Sequence, residues 1–156
     1  MFRRAYRTRL DRILAAVEIP ALGLWLGALC GFAFIFAPAA FALVPNGAQF
    51  ASLTTANLRV LADVGVVCGG IAIVVALVRS FDAADRTNDI VRAALIVVAL
   101  LLVAYETFGI VPAMATIADV HSQDFADLHQ RSMEVYGGVV IFALAALVMA
   151  AIRTDA

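Results

Sequence analysis

Long apolar runs alternate with short polar ones along this chain, and each apolar run has the length of a membrane-spanning helix. No charged residue occurs between Ile19 and Leu58. Pro38, Pro45 and the Asn46-Gly47 pair break that stretch, because proline withholds a backbone donor and Asn-Gly favours a turn. The first span is therefore expected over residues 18–44, long enough to tilt. A second is expected over 60–78, with Asp63 near its start, and RSFDAADRTND (79–89) reads as a polar loop. A third covers 90–112, interrupted by Glu106 and Pro112, and DVHSQDFAD (119–127) is polar again. The fourth covers 130–152. A helix crosses a bilayer with about 20 mostly apolar residues. The pattern thus predicts an all-α, integral membrane four-helix bundle, a single transmembrane domain over 1–156. No internal repeat is obvious in the residues.

Arginine placement adds an orientation. Arg3, Arg4, Arg7, Arg9 and Arg12 precede span 1, Arg79, Arg86 and Arg92 flank the 79–89 loop, and Arg153 follows span 4. Only Arg59 and Arg131 fall on the other side. The positive-inside rule then places both termini and the 79–89 loop in the cytoplasm, in a bacterial-type inner membrane. The Arg-rich start and Ala40-Phe41-Ala42 imitate a secretory signal, but the apolar run exceeds the usual 7–15 residues.

Composition agrees with a membrane location. Hydrophobic residues make up 64% and mean hydropathy is +0.99, an excess that a domain this size cannot bury in its own core. A net charge of -1 argues against a nucleic-acid partner. The lipid bilayer is the expected partner. Cys30 and Cys68 each lie in an apolar run, where two small buried hydrophobes are expected. With Met114 or Met133 they would alternatively offer a soft Cu(I) site.

Glycine spacing suggests how helices meet. Gly23, Gly27 and Gly31 recur every fourth residue on span 1, and Gly65 and Gly69 do so on span 2. In lipid, such stripes let backbones approach closely. The span 1 stripe serves either packing against a neighbouring span or a homo-oligomer. Trp25 is too deep for an interfacial anchor and is expected between helices.

The polar groups are one-sided. In this topology Asn57, Arg59, Asp63, Glu106, His129, Ser132, Glu134 and Tyr136 all fall in the outer half, while the inner half holds Glu18 beside Arg12 and Arg92. That favours a polar pocket open to the outside over a continuous path. On span 4, His129, Ser132 and Tyr136 share one face, and Arg131 can pair with Asp127 or Glu134 on the other. Glu106 lies roughly two thirds of the way across a core of about 30 Å, where a carboxylate must be paired, hydrated or protonated. A Glu106–His129 contact would make a proton or metal site, and a Glu106–Arg59 contact a structural ion pair. His121, Asp124, Asp119 and Asp127 in the last polar stretch would be an alternative cation site or simply a solvated loop.

GLWLG (23–27), FIFAPAAF (34–41) and LHQRS (128–132) together resemble the transmembrane-protein-205-like family, small four-span membrane proteins built on a domain of unknown function. The family pattern puts an aromatic-x-x-Pro-x-x-Phe stretch late in span 1, matched by Phe34 or Phe36, Pro38 and Phe41. It also puts His-x-x-Ser at the start of the last span, matched by His129 and Ser132. Relatives often carry Asn after that Ser, whereas here Tyr136 lies four residues past Ser132. The resemblance implies the four-span fold over nearly the whole chain. Trp25-x-Gly27 with a later His is also similar to copper-resistance D-type membrane domains, without their Met-rich and multi-His pattern.

No enzyme signature is present: G-x-S-x-G, HExxH, the P-loop and GxGxxG are all missing, and no cofactor is indicated. The expected function is binding or transport of a small solute or cation in an outer-facing pocket built by Glu106, His129, Ser132, Tyr136, Pro38 and Asp63, with His129 and Glu106 as metal ligands. The alternative is a non-catalytic structural or assembly subunit, in which the same polar groups fix helix register.

Overall fold

The computed structural model describes residues 2–44, 47–81, 86–117, 119 and 122–152, with side chains from residue 9 and, in span 2, from residue 49. Its helices are α1 (Phe2–Gly31), α2 (Ala37–Leu43), α3 (Gly47–Ser80), α4 (Arg86–Tyr105), α5 (Val111–Ala115) and α6 (Gln123–Ile152). Wide π-helical turns at Phe32–Phe36 and Glu106–Ile110 join α1 to α2 and α4 to α5. Four helices are therefore long and apolar enough to cross a membrane: Arg9–Leu43, Gln49–Ser80, Arg86–Ala115 and Gln123–Ile152, called spans 1 to 4 below. The protein is an all-α four-helix membrane bundle.

Apolar side chains face out all round the bundle. Phe34, Phe41 and Phe108 are 78%, 77% and 81% exposed, a surface that water would penalise and lipid tails accept. The centre is built from Leu22, Trp25, Ile96, Ala99, Ala143 and Ala146, together with Ala72 and Val139. Small residues dominate spans 2 and 4 there because helix association in lipid relies on close approach. Trp25 lies between helices as expected. A Cβ on Gly65 would fall 2.8 Å from its Nε1, so glycine makes room for the indole. Gly69 does the same for Leu100. The span 1 stripe behaves differently. A Cβ on Gly23, Gly27 or Gly31 would meet nothing within 4 Å, so this groove packs on no neighbour within the described residues.

Spans 1 and 3 both run on past their prolines, Pro38 and Pro112. In both places the residue just before the proline bonds five residues back: Ala37 N–H donates to Phe32 O and Val111 N–H to Glu106 O. A proline ring would clash with a carbonyl four residues earlier. A widened turn relieves that clash and carries the helix on past the proline. The Pro45 and Asn46 break lies outside the described residues.

The two wide turns also show a repeat that the residues do not advertise. They are 74 positions apart, and the same offset aligns Phe34 with Phe108, Pro38 with Pro112, Gln49 with Gln123 and Arg79 with Arg153. Buried positions follow it: Glu18, Leu22 and Trp25 fall on Arg92, Ile96 and Ala99, and Ala72 and Ala76 fall on Ala146 and Ala150. Each odd-numbered span packs against both even-numbered ones. The bundle is thus two helical hairpins in matching register, facing each other across an approximate twofold axis along the bundle.

Candidate functional site

Polar chemistry is found at both ends of this bundle. At the end carrying the termini, Glu18, Asp89 and Arg92 are fully buried and Arg79 is 4% exposed. Arg79 Nη1 donates to Glu18 Oε2 at 2.9 Å, and Arg79 Nη2 to the Asp11 carbonyl at 2.8 Å. Arg92 Nε lies 2.8 Å from Glu18 Oε1, and Arg92 Nη2 donates to Asp89 Oδ1 at 2.9 Å. Two cations thus face two carboxylates, as charges away from water require. Glu18 and Arg92 are equivalent positions of the two hairpins, so their bridge lies close to the axis.

Of the two arginines expected beside Glu18, Arg92 is its partner and Arg12 is not, and Arg79 and Asp89 join the network as further polar groups of that half. Arg12 is exposed, and Arg79 takes its place. Hydropathy alone ends span 2 at Val78 and starts span 3 at Ile90, which leaves Arg79 and Asp89 in a loop. Both lie within helices that continue beyond the hydropathy boundary. The charge pattern did contain a signal, since Asp89 and Arg92 are three apart and able to pair on one helix face.

The opposite end holds a cavity of about 310 Å³. Span 2 contributes Thr55, Leu58, Arg59, Leu61 and Ala62, and span 3 contributes Val103, Glu106, Thr107, Val111, Pro112 and Ala115. Leu29, Val135, Tyr136 and Val139 complete it. Three equivalent pairs, Leu29 with Val103, Leu61 with Val135 and Ala62 with Tyr136, line it together, so its floor crosses the axis. The wide turn at Glu106–Ile110 sets the geometry by leading span 3 into Pro112 and the cavity wall.

Glu106 is 7% exposed. Its Oε1 accepts a hydrogen bond from Ser132 Oγ at 2.6 Å, which ties span 3 to span 4. Its Oε2 is buried without a hydrogen-bond partner among the described residues. An unsatisfied buried carboxylate oxygen is costly, so this atom has capacity for a donor that enters the cavity. Tyr136 Oη donates to the Leu29 carbonyl at 3.3 Å, and its ring lies 5.8 Å from that of Phe32.

The other sequence candidates are placed differently. Ser132 is one hydrogen bond from the cavity rather than on its wall. His129 is exposed and stacked on Phe125, with centroids 6.3 Å apart. It is near enough to Glu106 for a Coulombic interaction but does not line the cavity. Pro38 and Asp63 are exposed and also absent from the wall. Pro38 and His129 are the equivalents of Pro112 and Thr55, which do line it. In the first hairpin Phe32 replaces Glu106 and Leu58 replaces Ser132, and Phe32 stacks with Phe36 at 5.5 Å.

Several expected contacts do not form among the described residues. Arg131 pairs with neither Asp127 nor Glu134, which instead accept from Gln123 at 2.8 Å and Gln130 at 3.1 Å. A glutamine one turn earlier reaches each carboxylate and leaves Arg131 in solvent. Glu106 forms no ion pair with Arg59 or His129. No three His, Cys, Asp or Glu side chains gather as a metal-binding group among the described residues. His121 lies outside the described residues. Cys68 belongs to the buried core and Met133 is 64% exposed, so those two do not share a site.

Comparison with known proteins gives one match. The family model described as Domain of unknown function (DUF4149) covers residues 21–123. No curated protein matches, and no solved structure matches. Nothing ties the chain to the transmembrane-protein-205-like family or to copper-resistance D-type domains, and that resemblance gives way to this match.

Proposed function

The chain belongs to the DUF4149 family of unknown function, and we propose that it is a multi-pass membrane protein that binds or transports a small solute or cation in the cavity around Glu106. The observation that carries this reading is the Glu106 side chain on the cavity wall, with one carboxylate oxygen held by Ser132 and the other buried without a hydrogen-bond partner among the described residues. Cavities of this size hold small ligands, fixed by a few polar groups on apolar walls. Glu106 is the anchor, Ser132 positions it, and Tyr136 forms the floor. His129 is an electrostatic neighbour that modulates the site or contributes to a metal ion there, and Pro38 and Asp63 complete the proposed set from outside the cavity wall.

The arginine distribution supports a bacterial inner membrane with the termini in the cytoplasm, one transmembrane domain over the chain, and a cavity opening outward. A structural subunit is the competing reading, favoured by the Ser132–Glu106 bond, which would knit spans 3 and 4 in register. The exposed face of Gly23, Gly27 and Gly31 supports self-association through span 1.

Thermal stability in detergent separates the readings. Wild type, Glu106→Gln and His129→Ala are compared with and without a panel of metal ions and small organic cations. A solute that raises the wild-type melting temperature should lose its effect in Glu106→Gln and keep part of it in His129→Ala, with baseline stability retained. Equal destabilisation of both variants under every condition would make the cluster structural.

A further inference from the structure

The cavity is lined by one acidic and one basic side chain that do not pair with each other. Arg59 and Glu106 line the same space, yet no ion pair joins them, and no carboxylate among the described residues pairs with Arg59. Elsewhere in the molecule Glu18, Arg79, Asp89 and Arg92 pair at hydrogen-bonding distance. The unpaired state of the second set therefore belongs to this cavity. Glu106 is buried, and its free Oε2 calls for a hydrogen-bond donor, best a charged one. Arg59 is exposed and presents a guanidinium, which matches a carboxylate or phosphate. Leu58, Leu61, Val103 and Val139 make much of the remaining wall apolar, with Thr55, Thr107 and Tyr136 as its other polar side chains.

From this arrangement we infer that the ligand is a small zwitterion with an apolar body, its ammonium group bound at Glu106 Oε2 and its anionic group at Arg59. A simple cation would make no use of the guanidinium at the cavity wall, and a simple anion would leave the buried carboxylate oxygen without a donor. A zwitterion satisfies both at no net charge, which lowers the cost of bringing it to membrane depth. The same chemistry occurs in free ω-amino acids and in the ethanolamine phosphate headgroup of a phospholipid. This inference rests on the proposed binding role of Glu106 and adds Arg59 as the second anchor.

The test uses the full chain in detergent with 6-aminohexanoate, and with its single-charge halves hexylamine and hexanoate. Binding is read by calorimetry for wild type, Glu106→Gln and Arg59→Gln, each first checked for an unchanged helical spectrum. The lipid source is read in parallel, as retention of phosphatidylethanolamine over phosphatidylglycerol through purification. The expected result is that the zwitterion, free or lipid-borne, binds at least about tenfold tighter than either single-charge probe. Each variant should erase that preference. If hexylamine binds wild type as tightly as the zwitterion and Arg59→Gln changes nothing, the zwitterion inference is overturned while cation binding at Glu106 stands. If no probe binds and neither lipid is preferred, both readings fail.

Discussion

At the residue scale, burial and pairing distinguish the two polar clusters. Arg92 bridges Glu18 and Asp89, so removing it takes a buried cation from two buried carboxylates, although Glu18 keeps Arg79. Breaking one partner of a buried ion pair typically costs about 3–5 kcal/mol. Arg92→Ala is therefore expected to unfold well below wild type in a detergent melt, and exposed Arg12→Ala to melt like wild type. Equal melting of the two variants would remove the network from the account of stability. Glu106 was legible in the sequence because a lone carboxylate deep in an apolar run stands out. Arg79 and Asp89 were not, because a hydropathy boundary cannot tell a helix end from a helix that continues with its charges turned inward. The Arg131 pairing failed for another reason. Spacing permits several partners on one helix face, and the nearby glutamines took both carboxylates.

At the element scale, glycine and proline act by place rather than by type. Gly65 lies under the Trp25 indole, where an added Cβ would come within 2.8 Å. Gly27 faces open space. Gly65→Ala is expected to lower thermal stability by overpacking, a cost typically of about 1–3 kcal/mol. Gly27→Ala is expected to leave the melt unchanged and to act only on self-association, if span 1 pairs with a second copy. A melt lowered equally by both substitutions would contradict this division. The regular recurrence of glycine was visible in the sequence, but which stripe faced inward was not. Periodicity defines a face and leaves its direction open. The prolines were read as breaks because proline in a helix usually is one. The wide turns before Pro38 and Pro112 absorb the clash, and no residue pattern in one span alone announces them.

At the scale of the whole molecule, two matching hairpins surround an axis with a closed, ion-paired end and an open, partly unpaired one. The four spans were readable from hydropathy, since lipid forces helices with apolar surfaces. The repeat was not readable, because small and apolar residues substitute freely for one another and only a few positions keep their identity. By the same repeat, Pro38 of the first hairpin corresponds to Pro112 of the second, and His129 of the second corresponds to Thr55 of the first. In the first hairpin the position of Glu106 is taken by Phe32, which stacks on Phe36, so the buried carboxylate has no counterpart at the equivalent position.

The central claim is that the cavity around Glu106 is wet and opens on the side away from the termini. Thr107 lines it and provides a reporter: Thr107→Cys in a background with Cys30→Ala and Cys68→Ala, treated in intact cells with a membrane-impermeant maleimide. Rapid labelling from the outside is the result expected of this account. Labelling that requires access from the side of the termini, or no labelling even in opened membranes, would contradict it.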